Sequence, residues 1–151
     1  MIRAATKEDN QIVCGLIRQL SPYSFSDEQF ETSYDYNLET NYILVYEENE
    51  HICGCGVLSI HYPMQFSRKS AEIAALVVDE NARNRGIGKE LLLYLEKIAI
   101  ENGCFRLEVA TGKQRKEALR FYEREGFDST HYKLAKRFST SKGKEIKNLV
   151  T

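Results

Sequence analysis

The side chains with the clearest chemistry lie in a short basic turn that contains two glycines. Its sequence is Arg83-Asn84-Arg85-Gly86-Ile87-Gly88-Lys89. The turn follows an apolar run at residues 73–78 and precedes an amphipathic segment that reaches about residue 102. A strand, a glycine-containing turn and a helix in this order present backbone N–H groups and the positive end of the helix dipole to an anion. We therefore predict phosphate binding at residues 83–89, which we call the glycine turn.

Two familiar phosphate loops do not match the glycine turn. A Walker A loop needs G-x-x-x-x-G-K-[S/T], but residue 83 is arginine and residue 90 is glutamate. A dinucleotide fingerprint needs a third glycine at position 91, where this chain has leucine. The pattern that remains is R-x-x-G-x-G, formed by Arg83, Gly86 and Gly88.

A second motif stands downstream, where residues 118–127 read A-L-R-F-Y-E-R-E-G-F. The first pattern resembles the pyrophosphate signature [Q/R]-x-x-G-x-[G/A] of the GNAT superfamily of N-acetyltransferases, and the second resembles that family's A-x-x-F-Y-x-x-x-G-F. The resemblance covers residues 2–138. It implies a single mixed α/β domain over residues 1–138, with a mostly antiparallel central sheet that splays at the cofactor site and is flanked by helices. Residues 139–151 are expected to form a polar C-terminal tail.

The resemblance implies acetyl-CoA as co-substrate, lying between the strand that ends near residue 79 and a strand at residues 104–110. A bulge near residues 76–78 would splay the two strands, and backbone N–H groups of residues 84–89 would hold the pyrophosphate. Arg115 stands where the family often has asparagine, and an arginine can also reach a phosphate. The cofactor-binding residues expected on this basis are Leu76, Val77, Val78, Arg83, Asn84, Arg85, Gly86, Ile87, Gly88, Lys89, Arg115 and Tyr122.

Acetyl transfer to an amine needs a neutral amine, a stabilised oxyanion and a protonated leaving thiolate. Keeping a lysine-like amine neutral at pH 7 costs about 4–5 kcal/mol. Glu72 is the candidate base, because strand alternation would put it on one face with Ala74 and Leu76. A backbone N–H near Val78 would serve the oxyanion. Tyr122 matches the family residue that protonates the thiolate; the alternatives are a solvated Glu72 and a core Tyr122.

The acceptor is expected to contact an acidic and aromatic region early in the chain. No lysine or arginine occurs between Arg18 and Arg68, whereas eight acids do. Tyr23, Phe25 and Tyr34 are the candidate contacts, and aromatic faces beside carboxylates favour a cationic amine. The alternatives are a solvated acidic face over core aromatics, a protein or peptide amine as acceptor, and a non-catalytic acyl-CoA-binding or regulatory module on the same fold.

Composition narrows the class of protein. The chain has 151 residues, of which 42% are hydrophobic and 28% charged, as in a globular domain. Mixed charges and a sequence pI of about 6.3 argue against nucleic acid, and the apolar runs are too short for a membrane span. Four cysteines without a secretion signal favour reduced thiols in the cytoplasm. The C-x-C of Cys53 and Cys55 lacks a second ligand pair, so no metal is expected, and a homodimer is one assembly that the resemblance allows.

The elements that must position these residues follow from capping and periodicity. Thr6 with Asp9, and Ser26 with Gln29, predict two helix starts. The predicted order is β-α-α-β-β-β-α-β-α-β. Strands are predicted at 2–5, 41–47, 51–61, 69–79 and 104–110, with one or two short strands at 127–130 and 132–138. The short turn Glu48-Asn49-Glu50 predicts that the second and third strands form a hairpin. The last two helices are predicted at about 87–102 and 115–125.

Overall fold

The structure, a computed structural model, describes residues 1–138 of the chain. It divides into two compact units, Met1–Gln114 and a second that begins at Arg115. The elements of the first unit are β1 (Ile2–Ala4), α1 (Asn10–Leu20), α2 (Asp27–Thr40), β2 (Tyr42–Glu48), β3 (His51–His61), β4 (Ser70–Val78), α3 (Ile87–Glu101) and β5 (Leu107–Val109). Short 3-10 helices lie at Lys7–Asp9 and Glu80–Ala82, and the second unit contains α4 (Lys116–Arg124).

The five strands form one sheet in the order β1-β2-β3-β4-β5. The first four are antiparallel and β5 is parallel to β4, which confirms the mixed α/β fold with a mostly antiparallel sheet. Strands β4 and β5 pair only from Ala71 to Ile73 on β4. Beyond Ile73, β4 continues to Val78 with β3 as its partner among the described strands. The sheet therefore opens between the two strands after Ile73, as the splayed sheet of the prediction requires.

Local side-chain signals explain where the first helices and the hairpin form. The Thr6 N–H donates to Asp9 Oδ2 at 2.8 Å before α1, and Gln29 N donates to Ser26 Oγ at 3.1 Å at the start of α2. Ser26 N in turn donates to Gln29 Oε1 at 2.8 Å, which completes a capping box. Both predicted helix starts are confirmed, as is the β2–β3 hairpin.

The two faces of the sheet are covered by different helices. Helices α1 and α2 pack on the face that carries Val45, Cys55, Val57 and Val77. Helix α3 covers the other face, where a Cβ added at Gly56 would lie 3.0 Å from Leu95 Cδ1. Glycine at this position therefore lets the helix backbone approach β3 closely.

Strand β4 contains a bulge at Ala74, two residues before the region near residues 76–78 where it was predicted. Val57 of β3 faces Ala75 and Leu58 faces Ile73, which leaves Ala74 as the extra residue. An unbroken apolar run carries no local signal for the residue that a bulge leaves unpaired, because pairing with β3 decides it. The small and exposed Ala74 takes that position without removing a large side chain from the core.

The bulge changes the face on which Glu72 lies. Glu72 faces Ser59 and therefore shares a face with Ala75, which packs in the α1–α2 core cluster. Leu76 lies on the α3 side, 3.5 Å from a Cβ added at Gly56. The predicted common face for Glu72, Ala74 and Leu76 is wrong, because one extra residue reverses the alternation of the side chains.

The last predicted strands are also wrong in the described part of the chain. Residues 127–138 form no strand, and the side chains of Tyr132 and Leu134 are about nine-tenths exposed. A strand needs a partner edge and a buried face to offset the entropy lost on ordering, and exposed apolar residues provide neither. Strand β5 is shorter than the predicted 104–110. The predicted polar tail at 139–151 lies outside the described residues.

Candidate functional site

The glycine turn leads into α3 through left-handed backbone conformations. Asn84 has a φ of 62° and Gly86 a φ of 81°. Gly86 precedes the first residue of α3, and within residues 1–138 no side chain caps this helix, so the N–H groups of Ile87 and Gly88 keep donor capacity for an anion. Within residues 1–138, no atom other than those of Gly86 and its two chain neighbours lies within 4 Å of the position that a Cβ on Gly86 would occupy. The backbone conformation, together with this open space above it, suits the approach of a phosphate.

The arginines of the glycine turn contact the protein itself. Arg83 Nε donates to the Val78 carbonyl at 3.2 Å, which ties the turn to the end of β4. The Arg85 guanidinium pairs with Glu48 at the end of β2 and holds the pKa of that carboxyl below its ordinary value. The backbone N–H groups at the start of α3 are therefore the donors available to a phosphate, and the arginine charges lie close by.

The predicted pantetheine contacts lie on the part of β4 that has separated from β5. The Val77 side chain is buried among core residues, and Leu76 faces α3. A ligand can therefore bind to the backbone edge of this segment, because none of the described strands pairs with it on the β5 side. An extended pantetheine arm carries amide groups that can pair with such an edge.

Glu72 lies next to the point where the two strands separate. It pairs in register with Glu108, one residue before the last pair, Ile73 with Val109. Its side chain is 41% exposed, and Oε2 is 3.8 Å from His61 Nε2. The structure therefore places a solvent-accessible carboxylate beside the opening, with an imidazole as neighbour.

The predicted acceptor contacts have different environments. Tyr23 is exposed in the segment between α1 and α2. Phe25 is partly buried, with the Arg18 guanidinium 5.1 Å from its ring centroid. Arg18 Nη2 also donates to Asp27 at 2.9 Å and to the Phe25 carbonyl at 3.1 Å. The Phe25 ring thus already holds a cation that belongs to the protein.

Tyr34 is a core residue. It is buried, its ring stacks on Phe30 with the centroids 5.7 Å apart, and its hydroxyl donates to the Thr6 carbonyl at 2.6 Å. Burial raises the pKa of this hydroxyl to about 12. Because Tyr34 is buried and its hydroxyl is hydrogen-bonded, it offers no group to an acceptor and is not part of the proposed acceptor site.

Replacing Tyr34 with phenylalanine tests this position. We expect the free energy of unfolding to fall by about 1 kcal/mol, because the hydrogen bond from the buried Tyr34 to the Thr6 carbonyl is lost, while the acceptor KM stays unchanged. Urea denaturation and steady-state kinetics measure the two quantities. Tyr36→Phe, on the exposed side of the same helix, is the control and should change stability by less than about 0.5 kcal/mol. A raised acceptor KM at full stability would make Tyr34 an acceptor contact after all.

The second unit positions Tyr122 through a small aromatic cluster. The Tyr122 ring packs edge-on against Phe121 and Phe127, with centroids 5.2 and 5.4 Å apart. Gly126, with a φ of 94°, ends the helix, and Phe127 N donates to the Tyr122 carbonyl at 3.0 Å. Burial raises the pKa of the Tyr122 hydroxyl, and the charge of Arg115 partly opposes this. The phenol is therefore protonated at neutral pH, as a proton donor must be.

Several side chains that hold the glycine turn and the residues before it were not predicted from the sequence. Glu48 holds Arg85, and Gln19 binds both Asp79 and the Glu80 backbone. Gln19 and Asp79 are 60 residues apart in the chain, so no local pattern joins them.

Residues 1–138 contain neither a metal-binding cluster nor a membrane-spanning helix. No group of three or more His, Cys, Asp or Glu residues in this part of the chain could hold a metal ion, and the four cysteines are free. In the same residues, no helix is both long and apolar enough to cross a bilayer.

The fold is that of an acyl-CoA-dependent transferase. Strand β4 separates from β5, α3 begins without a side-chain cap, and the glycine turn lies between β4 and α3. The chain belongs to the acetyltransferase (GNAT) family, whose model matches residues 9–127. This span contains the glycine turn as well as Tyr122. The match makes the protein an N-acetyltransferase with acetyl-CoA as co-substrate, as the two motifs predicted.

Several relatives extend over nearly the whole chain. An aminoalkylphosphonate N-acetyltransferase of Salmonella typhimurium is 33% identical over 142 residues, which are 89% of either chain. A transcriptional regulator from Bacillus halodurans C-125 is 29% identical with a TM-score of 0.80, covering 91% of this chain and 99% of its own. The aminoglycoside N-acetyltransferase AAC(6')-Iy, solved in complex with CoA, shares the fold with a TM-score of 0.82 at 19% identity, over 91% of this chain and 93% of its own.

Proposed function

We propose that the enzyme acetylates the primary amine of a small molecule that also carries an anionic group, in the class of the aminoalkylphosphonates. The proposed binding of the donor, acetyl-CoA, rests on the uncapped start of α3 and on the unpaired edge of β4. We propose that residues 84–89 bind the pyrophosphate and that the edge from Leu76 to Val78 pairs with the pantetheine arm. Arg115 is the proposed further phosphate contact.

The acceptor proposal departs from the cationic amine expected from the sequence. The Salmonella relative acts on aminoalkylphosphonates, and this chain is 33% identical to it. The Arg18 guanidinium over the Phe25 ring supports an anionic acceptor, because this guanidinium would repel a cation and attract a phosphonate. Tyr23, exposed in the same segment, is the proposed neighbouring contact. A cationic amine remains the second candidate, favoured by the acids of α2, of which Asp27 already pairs with Arg18.

In the proposed direct transfer of the acetyl group, each of the proposed protein groups carries out one step. Glu72, directly or through a water molecule, takes a proton from the ammonium of the acceptor, and the neutral nitrogen attacks the thioester carbonyl carbon. A backbone N–H near Val78 stabilises the oxyanion. The carbon–sulfur bond breaks, and the Tyr122 hydroxyl gives its proton to the thiolate. The second proton of the attacking nitrogen passes to solvent, and solvent returns a proton to Tyr122, so the amide and the phenol are both neutral at the end of the cycle. The products are the N-acetylated amine and CoA.

A panel of three small amines tests the acceptor class. We expect kcat/KM for 2-aminoethylphosphonate to exceed that for 2-aminoethanol and 1,4-diaminobutane by about 10- to 100-fold, the effect of one charged hydrogen bond. Release of free thiol from acetyl-CoA gives the rates. Arg18→Gln should remove most of this preference, whereas Arg124→Gln, a surface arginine in α4, should leave it intact. Preferential turnover of the diamine would overturn the anionic acceptor.

The same panel separates an enzyme from a binding module. One relative of similar fold is a transcriptional regulator, so a non-catalytic module on this fold is the alternative. Tight acetyl-CoA binding without turnover on any amine would favour that module. We further propose that residues 1–138 act as one domain in the cytoplasm, where four free cysteines stay reduced. The homodimer stays a prediction.

A further inference from the structure

We propose that Gln19 is a positioning residue for the glycine turn, an inference that rests on the proposed binding of acetyl-CoA there. Gln19 lies in the last turn of α1 and its side-chain amide makes two hydrogen bonds. Nε2 donates to Asp79 Oδ1 at 2.7 Å, and Oε1 accepts from the Glu80 N–H at 3.1 Å. One side chain thereby binds two consecutive residues that follow β4.

Asp79 passes this restraint on to the residues that precede the turn. Its Oδ2 accepts from the Asn81 N–H at 3.3 Å, and its carbonyl accepts from the Ala82 N–H at 2.8 Å. Its own N–H donates to the Cys53 carbonyl of β3 at 2.8 Å. The short 3-10 helix that leads into Arg83 is therefore held by β3 from one direction and by α1 from the other.

The chemistry of the amide explains why glutamine suits this position. A side chain here must donate to a carboxylate and accept from a backbone N–H at the same time, and an amide does both. A glutamate would accept from Glu80 but would repel Asp79, whereas a lysine could only donate. Helix α1 also continues into the segment that carries Tyr23 and Phe25. Gln19 therefore connects the proposed acceptor segment to the turn that holds the donor.

Replacing Gln19 with alanine should raise the Kd for acetyl-CoA by about 5- to 10-fold, the effect of one net hydrogen bond. The expected change in kcat is less than about twofold, because Gln19 touches no reacting group. Isothermal titration of the full chain with acetyl-CoA gives Kd, and saturating kinetics give kcat. Gln11→Ala, an exposed glutamine of the same helix, is the matched control and should bind like the wild type.

A swapped pair sharpens the test. Gln19→Glu alone should weaken acetyl-CoA binding at least as much as alanine does, because two carboxylates then face each other. Adding Asp79→Asn reverses donor and acceptor, so the double variant should recover Kd to within about twofold of the wild type. The recovery of affinity is specific to the geometry of this pair.

Three results would count against the inference or its basis. Wild-type Kd in Gln19→Ala overturns the positioning role, and so does a lowered melting temperature with unchanged Kd, which would make the contact merely structural. Failure of the swapped pair to recover affinity also overturns it. Failure of the wild type itself to bind acetyl-CoA would instead overturn the proposed function, so the two failures are distinct.

Discussion

Replacing Tyr122 with phenylalanine is expected to lower kcat about 100-fold while leaving the KM for acetyl-CoA within about twofold. The lost hydroxyl removes the proposed donor to the leaving thiolate, and general acid catalysis contributes about 10²–10⁴-fold. We expect the low end because a thiolate is a tolerable leaving group without protonation. The phenylalanine ring keeps the edge-on contacts with Phe121 and Phe127, so the fold should persist.

A control and a pH profile make this prediction specific. Tyr94→Phe, a partly exposed tyrosine of α3, should keep wild-type kcat. Burial raises the pKa of Tyr122, so the protonated, active form persists below that raised pKa and activity falls as the pH rises through it. The alkaline loss should therefore begin above about pH 10, the ordinary tyrosine value, and should vanish in Tyr122→Phe. Unchanged kcat in Tyr122→Phe would remove this residue from the acid role.

Replacing Gly86 with glutamate is expected to weaken acetyl-CoA binding by more than about 100-fold. The new carboxylate would stand at the start of α3, where it can accept the hydrogen bonds that the pyrophosphate needs and repel its charge. The positive φ of 81° adds strain of about 1–2 kcal/mol for any residue other than glycine. Isothermal titration with acetyl-CoA measures the loss of affinity.

Alanine at the same position separates strain from charge. Gly86→Ala has the same unfavourable φ but no carboxylate, and no atom lies within 4 Å of the new Cβ. We expect it to lose about 1–2 kcal/mol of stability, with a change in acetyl-CoA affinity smaller than about tenfold. A folded Gly86→Glu protein with wild-type affinity would show that the pyrophosphate binds elsewhere.

The features predicted correctly are those whose causes lie within a few residues. Ser26 and Gln29 cap each other across one helical turn, and Asn49 with Glu50 adopts the left-handed pair that a two-residue hairpin needs. Gly86 likewise marks a positive φ at the start of α3. Such signals are readable because both interacting groups are close in the chain.

The features predicted wrongly depend on partners far away in the sequence. The bulge at Ala74 is set by pairing with β3, and it moves Glu72 to the α1–α2 face. Tyr34 was a candidate acceptor contact with a core position as the alternative, and its place on α2 buries it in the core. The strand predicted at residues 132–138 does not form, and Tyr132 is exposed, because an apolar pattern forms no strand without a sheet edge to pair with.

The sequence by itself determined the family and predicted the donor half of the proposed site. The glycine turn and the Phe121-Tyr122 motif are local patterns whose backbone conformations follow from their own residues. Only the tertiary structure showed the long-range contacts on which the proposed acceptor half and the proposed role of Gln19 rest. It put Arg18 over Phe25, and it joined Gln19 to Asp79 across 60 residues. Contacts of this kind arise when helices pack on the sheet, because packing brings together side chains whose separation in the chain carries no pattern.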